Sequence, residues 1–247
     1  MTTENAMVVI PARYSSSRLP GKMVLAETGK PLIQHTVESV ASAERVERVI
    51  VATDHEAVAE TVRRFGGEVL LTGAEHRCGS DRVAEVAERL ALPDNAKVIN
   101  VQGDEPEMPG TCVDRLIDLL DETDAPMATL ATPFSAEEAQ RPEMTKVVCD
   151  RQGMALYFSR AKIPHDRDGD TLVGYLLHHG IYGYRAGFLR GFAALPSTPA
   201  EKAEKLEQLR ALESGYRIAV AEVDYRGSRI DTPAEYQEFV RRMSAGR

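Results

Sequence analysis

Three cations stand close together near the start of this chain, and their setting points to anion chemistry. From Asn5 to Ala26 the sequence carries Arg13, Arg18 and Lys22 but no Asp or Glu, although the protein has a formal net charge of -8. The loop that bears them follows an apolar run, Met7 to Ile10, which reads as a buried strand. Pro11 cannot donate to a sheet ladder and ends the strand, and Pro20-Gly21 forces a turn just before Lys22. Strand ends that lead into loops and helix N-termini are where open α/β folds bind phosphates. The known glycine-rich phosphate loops are missing. Gly21-Lys22 is followed by Met23 and has no partner glycine upstream, and no G-x-G-x-x-G follows the strand.

Two carboxylates could serve the same anion. Asp104, in Gln102-Gly103-Asp104-Glu105-Pro106, follows a second apolar run from Ala96 to Val101. That is the ligand-binding edge of a parallel sheet, and Gly103 would let backbone approach a ligand. Asp104 also fits a turn residue that caps the next segment. Asp231 lies in Arg229-Ile230-Asp231-Thr232-Pro233, where either Asp231 or Thr232 would cap the last helix, with Pro233 in its first turn. A triphosphate usually arrives with Mg²⁺, which takes carboxylate oxygens. Nothing in the sequence alone brings Asp104 and Asp231 together.

The stretch Pro11-Ala-Arg-Tyr-Ser-Ser-Ser-Arg-Leu-Pro-Gly-Lys22 resembles the signature of cytidylyltransferases that activate acidic sugars, above all the 3-deoxy-manno-octulosonate (Kdo) cytidylyltransferase, or CMP-Kdo synthetase, family. Ala155-Leu-Tyr-Phe-Ser-Arg160, His178-His-Gly-Ile-Tyr182-Gly-Tyr-Arg185 and Leu206-Glu-Gln-Leu-Arg210 resemble further segments of that family, and the likeness runs from about Met7 to Val240. It implies CTP and an acidic 3-deoxy sugar as substrates, with CMP-Kdo and pyrophosphate as products, in lipopolysaccharide synthesis. Arg13, Arg18 and Lys22 would hold the triphosphate, with Gln102 also on substrate, and Asp104 and Asp231 would carry Mg²⁺. Arg160, His178, Tyr182, Glu207 and Gln208 would line the sugar pocket. The family is dimeric, so a homodimer is implied, formed by the segment of about 145–185. The alternatives are the same chemistry on 8-amino-Kdo or a sialic acid, and a non-catalytic nucleotide-binding module. No general base stands out.

The residues themselves also admit plainer roles. Glu207 and Gln208 would fit an exposed helix face, with Leu206, Leu209 and Leu212 holding the core. His178 and Tyr182 would fit ordinary strand packing. His178 and His179 point to opposite faces of a strand, so they do not form a zinc pair.

The elements that must position these groups follow the hydrophobic pattern. Strands are expected at Val46 to Thr53, Glu68 to Leu71, Ala96 to Val101 and Met127 to Ala131. Between them lie helices with stripes at Ile33/Val37/Val40, Val58/Val62/Phe65, Val83/Val86/Ala87/Leu90 and Val113/Leu116/Ile117/Leu120. Asp54 and Ser80 are the expected caps of the second and third. This alternation predicts an α/β fold, a mainly parallel sheet flanked by helices, of the nucleotide-diphospho-sugar transferase type that the resemblance implies. Beyond Ser135 an antiparallel insertion is expected over about 145–185. A helix over Glu201 to Glu213, a strand over Ile218 to Val223 and a helix from about Ala234 follow.

One domain over 1–247 is expected. With 43% hydrophobic and 28% charged residues the composition is that of a soluble globular protein. No run approaches the ~18 apolar residues of a membrane span, and polar Met1 to Ala6 reads as a lead-in rather than a signal peptide. Three scattered cysteines, Cys78, Cys112 and Cys149, suggest reduced thiols and a cytoplasmic protein. A pI near 5.4 speaks against nucleic acid as a partner.

Overall fold

The computed structural model describes residues 5–76, 78–169, 174–227 and 229–245. The first half alternates strand and helix: β1 (Ala6–Pro11), α1 (Leu32–Val40), β2 (Val46–Thr53), α2 (Glu56–Arg64), β3 (Glu68–Leu71), α3 (Gly79–Arg89), β4 (Lys97–Asn100), α4 (Gly110–Glu122) and β5 (Met127–Phe134). The second half holds β6 (Lys146–Cys149), β7 (Ala155–Ser159), β8 (Tyr175–Arg185), α5 (Ala186–Ala194), α6 (Pro199–Glu204), α7 (Leu209–Glu213), β9 (Ile218–Glu222) and α8 (Pro233–Ala245). Among the described residues the strands form one nine-stranded sheet ordered β3-β2-β1-β4-β8-β5-β9, with β6 pairing β7 and β8.

Successive β1 side chains alternate between two cores. Val8 and Ile10 pack with Ile33, Val58, Val62, Val113 and Leu116, whereas Val9 packs with Val83, Val86, Val98 and Leu189 on the other face. A strand covered on both sides needs no polar alternation, which is why it reads as a continuous apolar run. All of these side chains are fully buried, and each contributes ~1.5–3 kcal/mol by leaving water.

The strand order creates the site. From β1 the chain steps outward to β2 and β3, then returns to lay β4 on β1's other edge, parallel to it. The loops after β1 and β4 therefore stand side by side at the strands' C-terminal ends and line one crevice there.

Several details depart from expectation. β8 lies inside the sheet, antiparallel to β4 and β5, while β6 and β7 form a hairpin at its margin. The antiparallel stretch of about 145–185 thus supplies both a margin and a central strand; its residues 170–173 lie outside the described residues. Ala6 already belongs to β1, and residues 1–4 of the expected lead-in lie outside the description. Asp54 does not cap α2. His55 does so through Nδ1, while Asp54 pairs with the buried guanidinium of Arg82 at 2.7 Å. The helix expected over Glu201–Glu213 is two helices. α6, opened by a Thr198/Glu201 capping box, stops where Lys205 turns left-handed (φ 55°), and α7 restarts at Leu209. Periodicity missed the break because Leu206 and Leu209 stay buried on both sides of it. Among the described residues no helix is long and apolar enough to cross a membrane.

Candidate active site

The loop after β1 ends on Gly21, whose backbone is left-handed (φ 67°) and lies against the Tyr14 ring. This turn drives Lys22 inward until it is 6% exposed. Its Nζ donates to Asp104 Oδ2 at 2.6 Å, to Asp231 Oδ1 at 2.9 Å and to the Ile230 carbonyl at 2.9 Å. One ammonium thus gathers the loops after β1, after β4 and before α8. Backbone stitches the last two, since Ile230 N donates to the Asp104 carbonyl. Arg18 Nη2 reaches Asp231 Oδ2 at 2.9 Å, and Arg229 Nε lies 3.2 Å from Asp104 Oδ2 and 3.1 Å from Asp231 Oδ2. In front of this cluster a cavity of about 360 Å³ is lined by Arg13, Ser15–Ser17, Gly79 and Gln102.

A larger cavity of about 750 Å³ adjoins it and is lined by Arg160, His178, Tyr182, Glu207 and Gln208. Tyr182 donates its phenol to Gln208 Oε1 at 3.1 Å. Ser80 donates to Glu207 Oε1 at 2.8 Å and lies 2.9 Å from the Tyr184 hydroxyl. Arg160 enters with Nε on the Glu204 carbonyl and Nη1 on that of Pro142. Arg18, Gly79, Gln102, Arg229 and Asp231 border both cavities.

The cytidylyltransferase family model matches residues 7–218. A 3-deoxy-manno-octulosonate cytidylyltransferase of Halorhodospira halophila is 48% identical over 262 residues, covering 100% of both chains. This chain belongs to the cytidylyltransferase family. A solved CMP:2-keto-3-deoxy-manno-octonic acid synthetase complexed with CTP is 41% identical, with a TM-score of 0.93 over 98% of this chain and 100% of that one. A cytidylyltransferase from Leptospira borgpetersenii serovar Hardjo-bovis shares the fold at 16% identity, with a TM-score of 0.64 over 98% and 87% of the two chains.

In this cytidylyltransferase the competing readings of the two aspartates separate. Thr232 and Glu235 form the reciprocal cap of α8, with Glu235 N on Thr232 Oγ1 and Thr232 N on Glu235 Oε2. The Asp231 carboxylate is thereby left for Lys22 and the arginines. Asp104 accepts from side-chain cations, so it is no turn cap. Gly103 lines the smaller cavity, and a Cβ there would also meet Met23 Sδ at 3.0 Å and the Pro11 carbonyl at 3.3 Å. Arg13 stays at the rim, exposed, with Nη2 on the His76 carbonyl at 2.8 Å.

The residues that line the larger cavity also resolve. Glu207 and Gln208 lie in the break between α6 and α7 rather than on a helix face, and Gln208 is 1% exposed. Its Nε2 is buried without a hydrogen-bond partner among the described residues. A buried donor left unpaired costs about 1–3 kcal/mol, so this amide suits a ligand acceptor. His178 and His179 bond separate threonines, Thr129 at 3.1 Å and Thr132 at 2.7 Å, yet both line the larger cavity, because the β5–β8 register is irregular at Thr129/Leu130. Burial pushes their pKa values down to about 3 and about 4, so both rings are neutral. Ser80 is not the α3 cap. The helix starts at Gly79 behind Cys78, and the Ser80 hydroxyl is spent on Glu207 and Tyr184.

Electrostatics tie the cluster together. Burial pushes the Asp231 carboxyl up, but the Lys22 hydrogen bond and the charges of Arg229, Lys22 and Arg18 outweigh it and hold the group below the usual range. Burial also disfavours charge on Arg229, yet Asp104 and Asp231 raise its pKa further. Glu105, buried behind them, is pushed up to about 7 by burial first and then by the Asp104 charge.

The donor set fits a hard divalent cation. Two carboxylates meet at the Lys22 ammonium, and Asp104 Oδ1 is buried with no hydrogen-bond partner among the described residues. Among the described residues no group of three or more His, Cys, Asp or Glu is assembled for a metal. Mg²⁺ bound through one or two carboxylates, with substrate phosphates and waters, needs no more. Sequence reasoning missed Arg229, Glu105 and the positioning role of Ser80. The first two lie beside the two aspartates in sequence, and that adjacency was the available signal. For Ser80 no local signal existed, because its partners are 104 and 127 residues away.

Proposed function

We propose that this chain transfers the cytidylyl group of CTP to the anomeric hydroxyl of Kdo, releasing pyrophosphate and serving lipopolysaccharide synthesis. The observation that carries the reading is the shared wall: the cation–carboxylate cluster stands between a small cationic cavity and a larger polar one. A phosphoryl group passed from one substrate to another must react at such a border.

In this reading the triphosphate lies in the smaller cavity against Arg13, Arg18 and Lys22, with Gln102 at the border. The sugar lies in the larger one. Arg160 would pair with its carboxylate, while Glu207, Gln208, Tyr182 and His178 would bind its hydroxyls. The sugar hydroxyl attacks the α-phosphorus, a new P–O bond forms, and the hydroxyl proton passes to solvent water. The bond from the α-phosphorus to the bridging oxygen breaks, and its electrons leave on pyrophosphate. Lys22 and Arg18 neutralise that charge, and charge stabilisation with alignment is the main source of rate in such transfers. Asp104 and Asp231 would hold Mg²⁺, which when bound polarises the phosphate and makes the attacking hydroxyl more acidic.

The wider setting belongs to the same proposal. The protein works in the cytoplasm, supported by its three free cysteines and the absence, among the described residues, of a membrane-spanning helix. It acts as a homodimer through the β6–β7 margin, supported by Leu156 and Tyr157 at 61% and 39% exposure on β7. Its partners are small molecules rather than nucleic acid, in keeping with its net charge of -8.

Pyrophosphate release, measured with each nucleoside triphosphate and Kdo at saturating Mg²⁺, tests the reading. CTP with Kdo should give turnover far above any other pair, and EDTA should abolish it. CTP binding without pyrophosphate release would favour a non-catalytic module. Better turnover with 8-amino-Kdo or a sialic acid would replace the sugar.

A further inference from the structure

The carboxylate cluster is already occupied by cations of its own chain, and they do not hold it evenly. Asp104 Oδ2 accepts from Lys22 and Arg229, but Asp104 Oδ1 is buried and has no hydrogen-bond partner among the described residues. Asp231 has no such spare oxygen. Its Oδ1 accepts from Lys22, and its Oδ2 faces Arg18 at 2.9 Å and Arg229 at 3.1 Å. A cation arriving alone would therefore find one unpaired but buried oxygen on Asp104, while Asp231 stays masked and three positive charges stand within contact of the carboxylates. Coulomb repulsion at such range, even at the higher effective dielectric of a partly open site, is large against thermal energy.

The masking groups differ in freedom. The Lys22 side chain is 7% exposed and bonded three ways, so it is a fixed part of the wall. The Arg18 and Arg229 side chains are 61% and 57% exposed, and both border the two cavities. They can turn from a carboxylate to a phosphate without breaking any packed structure. A guanidinium pairs equally well with either anion, through forked N–H donors.

We propose that Arg229, together with Arg18, masks Asp231 until a triphosphate arrives, and that Arg229 then becomes a phosphate-binding residue. The exchange makes divalent-metal binding conditional on nucleotide. The triphosphate draws the guanidinium groups off Asp231 Oδ2, and its own charge offsets the cations that oppose the metal. The inference rests on the proposed reading of Asp104 and Asp231 as metal ligands.

Mn²⁺ binding tests it on the full-length protein, by calorimetry and by loss of the free-ion electron paramagnetic resonance signal, with and without CTP and with no sugar present. Wild-type protein should bind Mn²⁺ weakly alone and at least tenfold more tightly when CTP is present than CTP binds Mn²⁺ by itself. Arg229→Gln should tighten nucleotide-free Mn²⁺ binding on the order of tenfold and weaken CTP binding measured without metal. Arg229→Lys, which keeps the charge, should leave nucleotide-free Mn²⁺ binding close to wild type. If Arg229→Gln leaves both affinities unchanged, or if wild type binds Mn²⁺ equally well without nucleotide, the masking role is wrong. Asp231→Asn separates the two levels: if it leaves Mn²⁺ binding in the CTP complex intact, the metal-ligand reading itself fails.

Discussion

Asp104 and Asp231 show how a single residue acquires a role from its partners. Each has a plain explanation in sequence, as turn or cap, and each loses it once Thr232 is seen capping α8 and Lys22 is seen between the carboxylates. Because capping is carried by Thr232, Asp231→Asn should leave the α8 cap intact and fold, with stability lowered by about 1–3 kcal/mol for the lost charge pairing with Lys22, Arg18 and Arg229. Asp104→Asn should fold too, since the amide oxygen can still accept from Lys22. Both should lose at least a hundredfold in turnover, because an amide lacks the anionic oxygen that a hard cation prefers. If both serve one ion, the double variant should be scarcely slower than either single one. Losses that multiply in the double variant would sink the shared ion, and this is checked by kcat at saturating Mg²⁺.

At the scale of elements, the positioning of Glu207 depends on a helix break and on the start of a different helix. Lys205 in its left-handed backbone ends α6, and Ser80 in the first turn of α3 holds the Glu207 carboxylate. Arg210, 1% exposed, ties the same turn down by bonding Glu201 on α6 and the Phe192 carbonyl at the end of α5. Ser80→Ala removes a donor from Glu207 without disturbing a cap, since Ser80 is not one. Its KM for the sugar should rise about tenfold, equivalent to the ~1.5 kcal/mol of a hydrogen bond to a charged group. KM for CTP should stay near wild type. A rise in both, or in neither, would remove Ser80 from the sugar side.

For the molecule as a whole, the buried histidines set the response to acid. His178 and His179 stay neutral when folded, with pKa values near 3 and 4, whereas the unfolded chain protonates them near 6.5. Between those limits the unfolded state binds more protons, so stability is highest above pH 6.5 and falls as pH drops. Glu105 acts in the opposite sense, because the folded state takes up its proton near pH 7 and the unfolded state only near 4.5. Two protons against one leave a net loss of about one, or ~1.4 kcal/mol per pH unit between pH 6.5 and 4.5. Urea midpoints across that range measure it, and a stability that rises on acidification would contradict the neutral, buried assignment of the histidines. Association is the other whole-molecule property. Leu156 and Tyr157 are neighbours on β7 and so face opposite sides of the hairpin margin, yet both are exposed. Leu156→Glu should convert the proposed dimer to a monomer by light scattering, with an unchanged circular dichroism spectrum. A wild-type protein that is already monomeric at micromolar concentration would remove the dimer.

The sequence by itself determined the alternating half of the fold and the chemical character of the site. Strands such as Met7–Ile10 and helical stripes such as Val113/Leu116/Ile117/Leu120 are local patterns, set by which faces must leave water. The acid-free loop with Arg13, Arg18 and Lys22 announced an anion because residue type and local charge need no fold to be read. Only the tertiary structure decided which groups meet. Lys22, Asp104 and Asp231 come together because β4 returns to the far edge of β1, and pairings across 82 and 209 residues leave no periodic trace. Ser80 and Asp54 looked like caps and became partners of Glu207 and Arg82 for the same reason. A polar side chain satisfies whichever donor or acceptor the packed chain brings within about 3 Å, and that choice is made by the fold.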